Sequence, residues 1–197
     1  MKLILILLFS SSFCIAQENT GNKDLYRNKG YFNITRFSYQ SVNKVEQDLF
    51  IPGEGNFSNH LPSNNANAFS FQTINGYFFS PYFSAGLGVG LDGYNDPNLN
   101  TFPVFLDVRA YLNDDFNSPF LFLDFGGLAK VSDNFNKGSY FNIGAGYKVF
   151  VSKKNRIALI PEIGWSAKNI SLTDEGVRTS DNNLSVSGFQ VGLGIIF

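Results

Sequence analysis

Apolar and polar residues alternate one by one along most of this chain, the period of a strand with two unlike faces. Between Tyr82 and Tyr94, Phe83, Ala85, Leu87, Val89 and Leu91 share one face, and Tyr82, Ser84, Gly86, Gly88, Gly90 and Asp92 the other. Thr101 to Asn113 repeats this, setting Phe102, Val104, Leu106, Val108, Ala110 and Leu112 against Phe105, Asp107, Arg109 and Tyr111. Pro119 to Lys130 sets Leu121, Leu123, Phe125 and Ala129 against Phe122, Asp124, Gly126 and Lys130. Ser139 to Val151 sets Phe141, Ile143, Ala145, Tyr147 and Val149 against Asn142, Gly144, Gly146 and Lys148. Arg156 to Lys168 sets Ile157, Leu159, Ile163, Trp165 and Ala167 against Glu162, Gly164, Ser166 and Lys168. Leu184 to Phe197 sets Phe189, Val191, Leu193, Ile195 and Phe197 against Gln190, Gly192 and Gly194. Two more strands are less regular. Gly30 to Gln40 places Ile34 and Arg36 on one parity, which calls for a bulge or a mixed interior face. Asn67 to Phe79 carries Phe69, Phe71, Thr73, Tyr77 and Phe79 on one side. Strands of about 11 to 14 residues exceed those of soluble sheets and suffice to cross a bilayer at a tilt.

The connections follow a rhythm of their own. Counted from the first strand they run long (41–66), short (80–81), medium (95–100), short (114–118), medium (131–138), short (152–155) and long (169–183). A membrane barrel has short turns on its periplasmic side and longer loops outside, and with both termini inside every longer link lands on the exterior. Pro81 and Pro119 stand where proline is tolerated, whereas Pro103 and Pro161 fall inside strands and predict gaps or bulges in the ladder. The prediction is therefore all-β: an eight-stranded antiparallel up-and-down transmembrane β-barrel. Alternation is unchanged when a sheet is turned inside out, so a soluble lipocalin-like barrel or a secreted sandwich is the competing fold. Three features favour the membrane: glycines and unlike charges at mid-strand on the polar face, aromatics near strand ends such as Tyr31, Tyr39, Tyr77, Phe102 and Tyr140, and an aromatic last residue.

Composition narrows the choice. Residues 1–16 read as a cleaved signal peptide, with Lys2, an apolar run from Leu3 to Phe9 and Ala16 before Gln17. Bulky Phe13 opposes a lipoprotein cut at Cys14, so the single cysteine leaves with the leader, and neither a disulfide nor a thiolate site remains. Residues 17–29 form a short periplasmic segment, and 30–197 the barrel. Beyond the leader no apolar run is long enough for a spanning helix. With a net charge of −1 and no basic stripe, nucleic acid is not an expected partner.

The terminal segment, Phe189-Gln190-Val191-Gly192-Leu193-Gly194-Ile195-Ile196-Phe197, resembles the last strand of outer-membrane β-barrel proteins. In those proteins the alternating apolar residues and final Phe are read by the barrel assembly machinery. The chain is similar to the small eight-stranded, OmpA- or OmpX-like group. That resemblance implies location in the outer membrane among its lipids and contains no catalytic motif.

Six charged residues, Asp107, Arg109, Asp124, Lys148, Glu162 and Lys168, project to the expected interior and call for a structural charge network, since buried charges must be paired. His60, the single histidine, lies near Ser58 and Ser63 in the first long loop, but nothing fixes a His–Ser geometry there. Asp92, Asp96, Asp174 and Glu175 read as loop acids whose spacing matches no calcium loop. Gly86, Gly88 and Gly90 recur inside a strand and make room for larger interior neighbours. No catalytic, cofactor or metal site is expected. The function expected is a structural role or the presentation of loops 41–66 and 169–183 to an extracellular ligand. A narrow solute pore and a lipid-modifying enzyme are the alternatives.

Overall fold

In a computed structural model of the protein, the described residues are 28–63, 65–96, 98–152, 157–172 and 181–197. The leader 1–16 and most of the segment 17–29 lie outside them, as do Asp174 and Glu175. Among the described residues ten strands follow one another: β1 (Gly30–Ile51), β2 (Gly55–Leu61), β3 (Asn67–Ser80), β4 (Phe83–Asn95), β5 (Asn98–Thr101), β6 (Pro103–Tyr111), β7 (Ser118–Leu128), β8 (Phe135–Ser152), β9 (Ile157–Ser171) and β10 (Asp181–Ile196). Eight of them pair in the order β1, β3, β4, β6, β7, β8, β9, β10, and β10 pairs back onto β1, which closes the ring. β2 extends β1 as a hairpin, and β5 bridges β4 and β8.

The register fixes the tilt. Stepping across each pair from Ile34 leads through Ile74, Gly88, Phe105, Gly126, Tyr140, Lys168 and Val186 back to β1 at Val45. The path thus returns well along the strand from where it began, the stagger that inclines the strands of a small barrel by roughly 35–45°.

Direction of facing settles which way round the sheet is turned. Leu87 and Phe189 are each 68% exposed and Ile163 66%, while Arg36, Arg109 and Asp124 are fully buried. The apolar face is therefore outward, as a membrane barrel requires and a lipocalin-like barrel does not. The inward face is not simply polar: Phe32, Ile34, Ile74, Phe105, Phe120, Phe122 and Ile160 are also buried inside. In β1 this resolves the shared parity of Ile34 and Arg36 as a mixed interior face, the bulge lying further on, between Val42 and Lys44.

Interior aromatics are housed by glycines directly opposite them. Gly88 faces Phe105 and Gly146 faces Phe120, and a Cβ on either glycine would fall inside contact distance of the ring. Each ring packs over the bare backbone of its neighbour strand.

Several expected bounds shift. The first strand runs to Ile51 and not Gln40, because Val42 and Val45 remain buried inside and β1 keeps partners on both sides, β10 and then β2. Loop 41–66 is thus largely a hairpin, and the last loop is cut back by β9 and β10. Pro103 marks the break at Phe102 between β5 and β6, and beside Pro161 the β8–β9 register passes from Gly146↔Glu162 to Val149↔Leu159 without the pairs between. Tyr82, placed by parity on the inward face, instead sits 51% exposed in the turn, and Lys130 is exposed in the link after β7.

Candidate functional site

The lumen at mid-height holds the chemistry. Alternation sends Arg36 inward from β1, Gln72 from β3, Asp107 and Arg109 from β6, Asp124 from β7, Tyr140 and Asn142 from β8 and Glu162 from β9. The Arg36 guanidinium reaches Asp124 Oδ2 at 2.6 Å and Glu162 Oε2 at 3.1 Å, and its Nε donates to Gln72 Oε1 at 2.9 Å. Arg109 holds Asp107 Oδ1 at 2.9 Å and Glu162 Oε1 at 2.8 Å. Glu162 thereby bridges the two arginines, one oxygen to each. The side chains of Arg36, Arg109, Asp107, Asp124 and Glu162 are all 0% exposed.

Asp107 and Asp124 are directly opposed across β6 and β7, a placement that would repel without the guanidinium groups. Asp124 gains a further donor from Asn142 Nδ2 at 2.9 Å. Phenylalanines enclose the group: Arg36 lies over the rings of Phe105 and Phe122, and Arg109 over Phe120 and Phe122. Apolar walls raise the cost of an unpaired charge, so the pairing has to be nearly complete.

Of the six charged residues expected to form one network, Asp107, Arg109, Asp124 and Glu162 come together. Lys168 joins a second group nearer the long-loop end, 2.9 Å from Asp92 Oδ2 and donating to the Tyr94 hydroxyl at 2.6 Å. Asp92 is therefore not a solvated loop acid. It is 2% exposed and also accepts from Thr101 Oγ1 at 2.8 Å. Lys148 has no carboxylate among the described residues. It donates to Asn28 Oδ1 and lies over the Tyr111 ring near the short-turn end, while Asn28 Nδ2 donates to the Pro81 carbonyl at 2.8 Å.

Arg36 is the residue that sequence reasoning left out of the network. Its parity was the available signal. The pairs also run across the lumen, Arg36 to Asp124 and Arg109 to Glu162, rather than only between neighbouring strands.

Outside the lumen little converges. His60 on β2 is exposed and lies 3.8 Å from Glu46 Oε1, and Ser63 Oγ donates to the Asn43 carbonyl rather than to the histidine. Asp96 is exposed. Among the described residues no group of three metal-ligating side chains occurs. Phe189, Val191, Leu193, Ile195 and Phe197 all face outward, between 42% and 68% exposed.

No protein-family model matches the chain, and no curated protein matches it by sequence. Solved structures do. The crystal structure of the outer membrane protein OprG from Pseudomonas aeruginosa is similar with a TM-score of 0.53 and 11% identity, over 88% of this chain and 98% of that one. The solid-state NMR structure of the outer membrane protein AlkL in DMPC bilayers has a TM-score of 0.48 and 17% identity, over 92% and 95%. The crystal structure of the outer membrane protease OmpT from Escherichia coli has a TM-score of 0.44 and 9% identity, over 89% and 99%. The chain has the fold of an outer-membrane β-barrel, a likeness that does not single out the OmpA- or OmpX-like group.

Proposed function

We propose that this chain is an outer-membrane barrel with a sealed lumen, which acts through its long-loop end in a structural or surface-binding role and carries out no catalysis. The observation behind this reading is the fully buried group of Arg36, Arg109, Asp107, Asp124 and Glu162, packed between Phe105, Phe120 and Phe122. Salt-bridged guanidinium groups stacked on rings fill a lumen of this width and leave no continuous path for water. With the short turns in the periplasm, the β1–β2 hairpin and the adjoining ends of β9 and β10 stand at the cell surface. The outward belt seats the barrel in lipid, residues 1–16 direct export, and the outward residues of the last segment, from Phe189 on β10 to Phe197 just beyond it, are what the assembly machinery would read. The partner at the surface is an extracellular ligand or a neighbouring surface, met by the edge of β2.

The test is conductance. Protein reconstituted in planar bilayers is expected to give no step-like currents. Discrete steps would replace this reading with a narrow solute pore.

A further inference from the structure

The short-turn end of the lumen is closed by two layers of different make. The inner one is a run of buried rings from four wall strands: Phe32 and Phe78 have centroids 4.7 Å apart, Phe78 and Tyr111 5.4 Å, and Tyr111 and Phe120 5.3 Å. Such a layer moves only with the wall. Lys148 points inward from β8 one step nearer the turns than Gly146, which faces Phe120, and its Nζ lies 5.6 Å from the Tyr111 ring centroid. Lys148 is 5% exposed and has no carboxylate partner among the described residues. Ser118, opposite it on β7, is engaged with Asn113, its hydroxyl donating to the carbonyl at 2.9 Å and accepting from the amide at 3.4 Å. The acceptor left to the ammonium is Asn28 Oδ1.

Asn28 is the outer layer, and it belongs to no strand. The ladder of β1 with β3 begins only at Gly30↔Phe78. Gly30 has φ +77°, a conformation that glycine adopts without strain, and open space around it, so the chain before it departs from the line of β1. Two residues earlier the Asn28 side chain is buried and its amide reaches two sides of the barrel. Its Oδ1 accepts from Lys148 on β8, and its Nδ2 donates to the Pro81 carbonyl in the β3–β4 turn at 2.8 Å. In the ring of eight, β4 and β8 stand three strands apart, so this one amide spans most of the width of the mouth.

We infer that Asn28 is a strap that closes the short-turn mouth over Lys148, and that it lifts at Gly30 to open this end of the lumen as far as the ring layer. Two unequal costs support this. A buried ammonium without a counter-charge is better off hydrated, and the cover that keeps water from it is a single side chain. That side chain is held by two hydrogen bonds that water can replace, at a chain end outside the sheet, where local opening costs least. The charge group of Arg36 and Arg109 lies beyond the rings and stays sealed when the strap lifts. The inference therefore goes beyond the sealed-lumen reading without altering it.

The experiment is amine acylation by acetic anhydride of full-length protein exported to the membrane and purified in mild detergent, with each lysine followed by mass spectrometry. In the parent, Lys148 is expected to react far more slowly than the exposed Lys130 and Lys137. Asn28→Ala removes the hydrogen bond to the ammonium and is expected to speed Lys148 about tenfold or more, while Lys168, buried at the other end, is unchanged. Gly30→Ala, which strains the turn without touching Lys148, is expected to speed it by a smaller factor. Heat-dependent gel mobility checks that each variant is folded. Lys148 reacting as fast as Lys130 in the parent overturns the closure, and folded Asn28→Ala with Lys148 still slow overturns the strap. Lys148 and Lys168 rising together mark a loosened barrel and overturn it too, as does an Asn28→Ala chain that no longer folds, since a strap that lifts is not needed to build the wall. Gly30→Ala with Lys148 still slow removes the hinge.

Discussion

The two faces of the same strands obey different rules. Outward positions at mid-wall are apolar nearly everywhere, whereas inward positions carry Arg36, Asp107 and Glu162 beside Phe105, Ile74 and Ile160. The difference lies in who supplies the partner. Lipid supplies none, so the outward face has one chemistry available, while the lumen is furnished by the chain itself and can hold a charge wherever another strand answers it. Polarity is thus a reliable guide to what faces out and a poor one to what faces in.

Removing one member of the charge group should show the strongest dependence on partners. Arg36→Met leaves Asp124 without its guanidinium and Glu162 with one of two, and is expected to cost about 3–5 kcal/mol in denaturant unfolding from micelles. If it costs less than a charge placed in the lipid belt, the lumen tolerates unpaired acids and the contrast between the faces fails. Leu193→Arg, an outward change on β10 opposite Phe37, is expected to cost up to about 2–4 kcal/mol in the same assay, less the nearer the site lies to the membrane surface. Gly88→Ala tests packing rather than charge. Its methyl would press on the buried Phe105 ring, an expected loss of about 1–3 kcal/mol. The smallest effect should come from His60→Ala, an exposed site on the hairpin, expected within about 0.5 kcal/mol of the parent and without effect on any lipid acyl transfer or deacylation.

Legibility in the sequence followed the same division. Outward residues such as Phe83 to Leu91 and Phe189 to Phe197 were readable because on those strands every second residue, facing lipid, is apolar. The strands Gly30 onward and Asn67 onward were harder for a physical reason: their outward faces include Asn33, Thr35, Thr73 and Asn75, and β1 mixes Ile34 with Arg36 inside. Which inward charges meet was not readable, since Arg36 reaches Asp124 only through the stagger of the whole ring. Asp92 is instructive. Strict alternation already placed it inward, yet its position near the end of β4 suggested a loop acid until the register brought Lys168 alongside. The β1–β2 hairpin escaped notice because its residues, from Asn56 to His60, are exposed on both faces and so show no alternation.

The most direct test of a closed barrel with its apolar face outward is heat modifiability. The chain from residue 17, refolded in detergent micelles and run on a gel with and without boiling, should migrate faster unboiled and give a β-type far-ultraviolet circular dichroism spectrum. A chain that folds as a monomer in water without detergent would contradict the account, because the belt from Leu87 to Phe189 would then have no lipid to face.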